Sequence, residues 1–170
     1  DLMANVPIEC LLEDSDIELT LYFTPSTEID PAQLPEHDVL FVAFSETEAN
    51  RPLLTAWTTL LKKWPGPVLN RPAFIERVAR DTAAELLASL PGVLVPTTLR
   101  CARTELARLA DARASEATAD ESVFPLLIRP VDSHAGHDFH KDDHAADLAA
   151  VLDTLPGEEF FVSSFIDYRS

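Results

Sequence analysis

Arg129 stands at the exit of an apolar run, Phe124-Pro125-Leu126-Leu127-Ile128, and is followed by Pro130. A small polar stretch containing Ser133, His134, Gly136 and His137 comes next, and the chain then returns to apolar Phe139. The pattern predicts a strand, a polar turn and a second strand. Backbone N–H groups of such a turn can surround an anion while a guanidinium neutralises it through paired hydrogen bonds. Arg129, Ser133, His134, Gly136 and His137 are therefore candidate anion-binding residues. If His134 and His137 donate when protonated, affinity falls as pH rises past ~6.5.

Four histidines, His134, His137, His140 and His144, follow the spacing H-x2-H-x2-H-x3-H, which invites a zinc reading. The competing reading is a solvated or ligand-facing loop, because alternation along a strand sends neighbouring side chains to opposite faces. Ser133 and His134 are adjacent and have no third group to orient them, which argues against a nucleophile pair. Asp142 and Asp143 read as the N-cap and first-turn acids of a following helix. Cys10 and Cys101 match no metal or redox spacing and read as two buried reduced thiols, which points to a cytoplasmic protein.

The formal net charge is −16, from 29 acidic and 13 basic side chains. Such a surface repels nucleic acid and anionic membranes, so neither is an expected partner. No Lys or Arg precedes Arg51, so an anionic ligand has to be met by local cations rather than by a general positive field. No run approaches the ~18 apolar residues of a membrane span. A chain opening on Asp1 is expected to be a piece of a longer protein.

These candidates need elements to position them. Residues 17–23 alternate and predict a strand, and residues 38–44 are almost continuously apolar, as in a strand covered on both faces. A helix is expected over 51–64, with Leu53, Leu54, Trp57, Leu60 and Leu61 at helical spacing, stopped by Pro65-Gly66. A short strand at 68–70 completes a Rossmann-like layer, though with no glycine-rich dinucleotide turn. Beyond it the pattern predicts a helix over 72–89, a strand over 93–99, a helix over 103–114, the hairpin around Arg129, a helix over 142–155 and a strand over 159–166.

From Val68 onward the order of motifs is specific: Asn-x-Pro, a helix, Pro-Gly-Val-x-Val-Pro-x-Thr, a helix, Phe-Pro-Leu-Leu-Ile-Arg-Pro, a small-residue loop, a helix, and Phe-Phe-Val-Ser-Ser-Phe-Ile-Asp. This order resembles the amino-terminal half of ATP-grasp ligases. DSHAGHDF and FIDYRS are similar to the ATP-grasp regions of bacterial tetratricopeptide-repeat proteins. The resemblance implies an α/β chain in two parts, a Rossmann-like pre-ATP-grasp domain over 1–70 and an α+β ATP-grasp N-terminal lobe with an antiparallel sheet over 71–170.

The family's phosphate-binding lysine falls at Arg129, and a second family cation, counted back from Pro96, falls at Arg80. The glycine-rich loop falls on 132–138, where only Gly136 is a glycine. The adenine-contacting linker falls on Ser164, Phe165 and Ile166, with Asp167 a ribose contact. The implied ligand is ATP, as Mg-ATP in the full-length parent, and the implied reaction is ATP-dependent joining of a carboxylate to an amine, both substrates unknown. The family's metal-binding carboxylates lie in a C-terminal lobe absent from this chain, so the fragment is expected to be inactive alone. That lobe, or a homodimer mate, is an expected partner. The alternatives are a non-catalytic nucleotide-binding or protein-interaction module and a metal-binding domain through His134–His144.

Overall fold

The computed structural model describes residues 8–24, 27–115, 124–133 and 136–169; His134 lies outside them. The chain divides into two units, Asp1–Val78 and Ala79–Ser170.

The first unit begins with a short helix, α1 (Ile8–Leu12), and is built on one crossover: β1 (Leu40–Phe41), α2 (Arg51–Leu61) and β2 (Val68–Leu69). β1 and β2 are parallel, with Leu40 opposite Val68 and Phe41 opposite Leu69. Asn70, at φ 52, extends the junction by donating its side-chain amide to the Val42 carbonyl at 2.7 Å. α2 starts with Pro52 in its first turn, where a missing N–H costs nothing. It buries Leu54, Trp57 and Leu61 along one stripe against Val42 and Ile75. Trp64, just beyond α2, stacks on His37 with ring centroids 5.6 Å apart.

Three expectations fail in this unit. Cys10, expected to be buried, is exposed on α1. Residues 17–23 form no strand. They alternate as a strand should, but no edge among the described residues pairs with them, and Leu21 and Phe23 stay exposed. The apolar run 38–44 is covered on one face rather than two: Val42 is buried, whereas Val39 and Phe41 are exposed.

The single helix expected over 72–89 is broken. α3 (Pro72–Ile75) and a 3-10 turn over Glu76–Val78 end before Ala79, which is extended at ψ 145, and α4 (Arg80–Ala88) begins afresh. The apolar periodicity that suggested one helix runs across the boundary between the two units. Ile75 inserts into the first, while Ala79 opens the second unit. Residues 71–78, grouped by sequence with the second domain, accordingly belong with the first unit.

The second unit is a four-stranded antiparallel sheet in the order β3 (Thr98–Ala102), β6 (Glu159–Ser164), β4 (Leu126–Pro130) and β5 (His140–Asp142). The antiparallel sheet and the hairpin around Arg129 match expectation. β3 lies later than expected, because Val93 and Leu94 stay exposed and Thr98–Ala102 take the ladder. α5 (Arg103–Ser115) and α6 (Leu148–Thr154) pack on one face of the sheet. Leu106, Ala110, Ile128, Leu148, Leu152, Phe160 and Val162 meet there in one core. Burying side chains as large as Ile128 and Phe160, both at 0% exposure, contributes about 1.5–3 kcal/mol each.

α5 is started by half of a capping box: the Glu105 carboxylate accepts from the Ala102 N–H at 2.9 Å. α6 is not capped by Asp142 or Asp143. A 3-10 turn over Ala145–Asp147 precedes it, His144 sits at that turn's N-cap and makes no side-chain cap bond to it, and Asp142 is the last residue of β5.

Candidate functional site

Alternation along the strands decides which side chains share the face opposite the core. Ile128, Phe160 and Val162 point into the core, so Leu127, Arg129, Phe161 and Ser163 point the other way. Register places Arg100 and Arg129 on either side of Phe161, and Thr98 and Leu127 on either side of Ser163; Lys141 lies opposite Leu127 on β5. This second face thus carries three cations in a chain of net charge −16.

Arg80 adds a fourth. As the first residue of α4 it sends its guanidinium over the Phe161 ring, 5.8 Å from the centroid. Phe161 is 2% exposed although it points away from the main core. Arg100 is held by Glu159 at 2.5 Å. Arg80 and Arg129 meet no carboxylate among the described residues. Burial, and then the neighbouring charge of Arg80, lower the Arg129 guanidinium from its ordinary value. Two like charges are therefore neighbours without a carboxylate between them among the described residues, an arrangement whose repulsion an incoming anion relieves.

The turn after β4 is locked onto Arg129. Its Nε donates to Ser133 Oγ at 3.0 Å and a terminal nitrogen to the Ser133 carbonyl at 2.6 Å. Ser133 Oγ in turn donates to the Pro130 carbonyl at 2.8 Å. Ser133 is thereby buried and works first as the keystone of the turn. Gly136, at φ 78, takes a backbone conformation that side chains disfavour, with open space where a Cβ would stand. His137 is exposed beside it. The Arg129 guanidinium lies 5.9 Å from the Phe139 ring, which closes the far side of the hairpin.

At the other end of the same face the chain leaves β6. Phe165 N–H bonds the Pro125 carbonyl at 3.0 Å, so Ser164 and Phe165 continue the ladder. Lys141, Phe165, Ile166, Asp167, Tyr168 and Arg169 line an open hollow of about 400 Å³. Lys141 Nζ is 4.6 Å from the Phe165 ring centroid and pairs with Asp143. Asp167 bonds Arg169 at 3.1 Å; those hydrogen bonds hold its carboxyl below the usual range.

No protein-family model matches the chain, and no curated protein matches it. Among solved structures, the D-alanine–D-alanine ligase from Helicobacter pylori is similar over 65% of this chain and 32% of that one, at 14% identity and a TM-score of 0.40. The chain therefore spans about a third of that ligase's length, and at this distance the likeness assigns neither family nor activity.

The structure brings Arg80, Arg129, Ser133 and the linker 164–167 onto or beside one sheet face, with Gly136 and His137 in the hairpin turn next to it. Among the described residues no group of three or more metal-ligating side chains is found; His134, one of the four histidines, lies outside them. Sequence reasoning missed Lys141. Only its pairing with Leu127 puts it on the face with Arg129, and a three-residue strand carries no period from which that could be read. It also missed Asp142, which is 3% exposed with Oδ2 unpartnered among the described residues. Burial pushes that carboxyl up, Asp147 and Asp143 add to the rise, and His140 opposes it. Among the described residues no helix is long and apolar enough to cross a membrane.

Proposed function

We propose that the second unit grips ATP as the N-terminal lobe of an ATP-dependent carboxylate–amine ligase-like protein, with the first unit as its pre-ATP-grasp domain. One observation carries this reading: Arg129 on one sheet face and Arg80 beside it, which meet no carboxylate among the described residues, stand at one end, and an aromatic-lined hollow stands at the other. Phe161 and Phe165 are four residues apart on the same side of one extended segment, about 13 Å at the usual strand rise, a distance suited to an extended nucleoside triphosphate. Arg80 and Arg129 take the phosphates. Ser133, Gly136 and His137 of the hairpin cover them, and His134, which lies outside the described residues, is assigned to the same role from the sequence alone. The backbone of Ser164, Phe165 and Ile166 meets adenine, and Asp167 meets the ribose. The motif order from Val68 onward supports the same assignment.

In the proposed parent reaction a carboxylate attacks the γ-phosphorus of ATP, giving an acyl phosphate and ADP. An amine then displaces phosphate from the acyl carbon. The share of this lobe is positioning and charge stabilisation at the phosphates. Such chemistry uses Mg²⁺, but the described residues offer no carboxylate set for it, so no metal-dependent step is assigned to this chain.

Calorimetry with ATP tests the reading. Arg129→Ala and Arg80→Ala are each expected to weaken binding at least about tenfold, the loss of one charge-assisted contact. Wild-type protein that takes up no ATP at millimolar concentration sinks it. A second reading, nucleotide binding without chemistry, is favoured by the way Ser133 already occupies part of the Arg129 fork. It predicts ATP binding in the intact parent protein with no ADP formed in the presence of carboxylate and amine substrates.

A further inference from the structure

We infer that Lys141 is the positioning residue of the nucleoside end, holding the Phe165 ring as a platform and presenting its ammonium to the acceptor edge of a purine laid on that ring. This rests on the nucleotide reading above and adds to it a residue and a ligand class. Three observations carry it. The register of β4 with β5 puts Lys141 opposite Leu127, on the face shared with Arg129. Its Nζ stands 4.6 Å from the Phe165 ring centroid, within the range of a cation–π contact. It lines the hollow together with Phe165 and Asp167.

The division of labour follows from chemistry. An aromatic platform stacks any base, whereas an ammonium has three donors and no acceptor. On the edge away from the pairing edge adenine presents the N7 acceptor beside its amino group, whereas cytosine presents only its amino donor. An ammonium that meets that edge therefore prefers adenine to cytosine. The Asp143 partner is exposed, at 57% for its side chain, and such a pair holds the ammonium only weakly, leaving it free to turn toward a ligand. Arg80 and Arg129 lie at the opposite end of the face, so the two ends can be separated experimentally.

The test is calorimetry on the full chain with ATP, CTP and inorganic triphosphate, using wild type, Lys141→Ala and Lys141→Arg, with thermal melts alongside. Lys141→Ala is expected to weaken ATP binding about tenfold and to leave triphosphate within about twofold, with an unchanged melting temperature. Lys141→Arg, which keeps the cation over the ring, is expected to recover most of the loss. Wild type is expected to favour ATP over CTP. The inference is overturned if Lys141→Ala binds ATP like wild type, if it loses triphosphate as much as ATP, or if wild type binds ATP no better than CTP or triphosphate. Wild type that takes up neither ATP nor triphosphate overturns the nucleotide reading itself, and this inference with it.

Discussion

The two faces of the four-stranded sheet use arginine in opposite ways. On the core side Arg103 lies 4.9 Å over the Phe160 ring and spends its nitrogens on carbonyls: Leu152 at 2.5 Å, Leu155 at 2.6 Å and Gly157 at 2.9 Å. It closes the C-terminal end of α6, where carbonyls have no helical partner. On the other side Arg80 and Arg129 flank Phe161 and Phe139 and meet no carboxylate among the described residues. The same guanidinium over the same kind of ring is a structural bolt in one case and available charge in the other. What distinguishes them is how far backbone carbonyls fill the fork: those of Leu152, Leu155 and Gly157 for Arg103, that of Ser133 for Arg129.

The comparison can be broken experimentally, and the largest effect lies in the core. Phe160→Ala should destabilise the second unit by about 3–5 kcal/mol, read by urea denaturation, and a loss under 1 kcal/mol would mean that the core face is misassigned. Arg103→Met comes next. It strands the carbonyls of Leu152, Leu155 and Gly157 and should cost about 1–3 kcal/mol without changing ATP affinity. Arg80→Met inverts that result: stability should stay within about 0.5 kcal/mol of wild type, while ATP affinity falls about tenfold. Equal melting losses for Arg103→Met and Arg80→Met would erase the distinction between the faces.

The smallest effect is one of pH. The Asp142 carboxyl is raised above its ordinary 3.8, chiefly by burial, so the folded state binds its proton more readily than the unfolded state. Stability from this group is therefore greatest below about 3.8 and is lost as pH rises through the folded value. Asp142→Asn should melt higher than wild type at pH 7, with the gap closing as pH approaches 4. A gap that is constant with pH would show that the carboxyl does not titrate abnormally.

How much of this was legible in the sequence follows from the range of the signals involved. The hairpin was readable because the Arg129–Ser133 lock spans only four residues and its strands are adjacent in the chain. Arg80 could be placed by counting, but the break that puts it at the start of α4 could not, since Ile75 and Ala79 obey one helical period while falling in two units. Residues 17–23 show the converse failure, because alternation specifies a strand's faces but supplies no neighbouring edge. Lys141 and the opposition of Phe161 to Arg129 depend on pairing between distant strands, and no local pattern encodes that register.

The distribution of aromatic side chains makes the molecule an optical instrument. Both tryptophans, Trp57 and Trp64, lie in the first unit, one buried on α2 and one stacked on His37. Residues 79–170 contain no indole, and their only phenol is Tyr168, 89% exposed at the rim of the hollow. Indole emission therefore follows the unfolding of the first unit alone, and a change in phenol absorbance on adding nucleotide reports from the rim of the second.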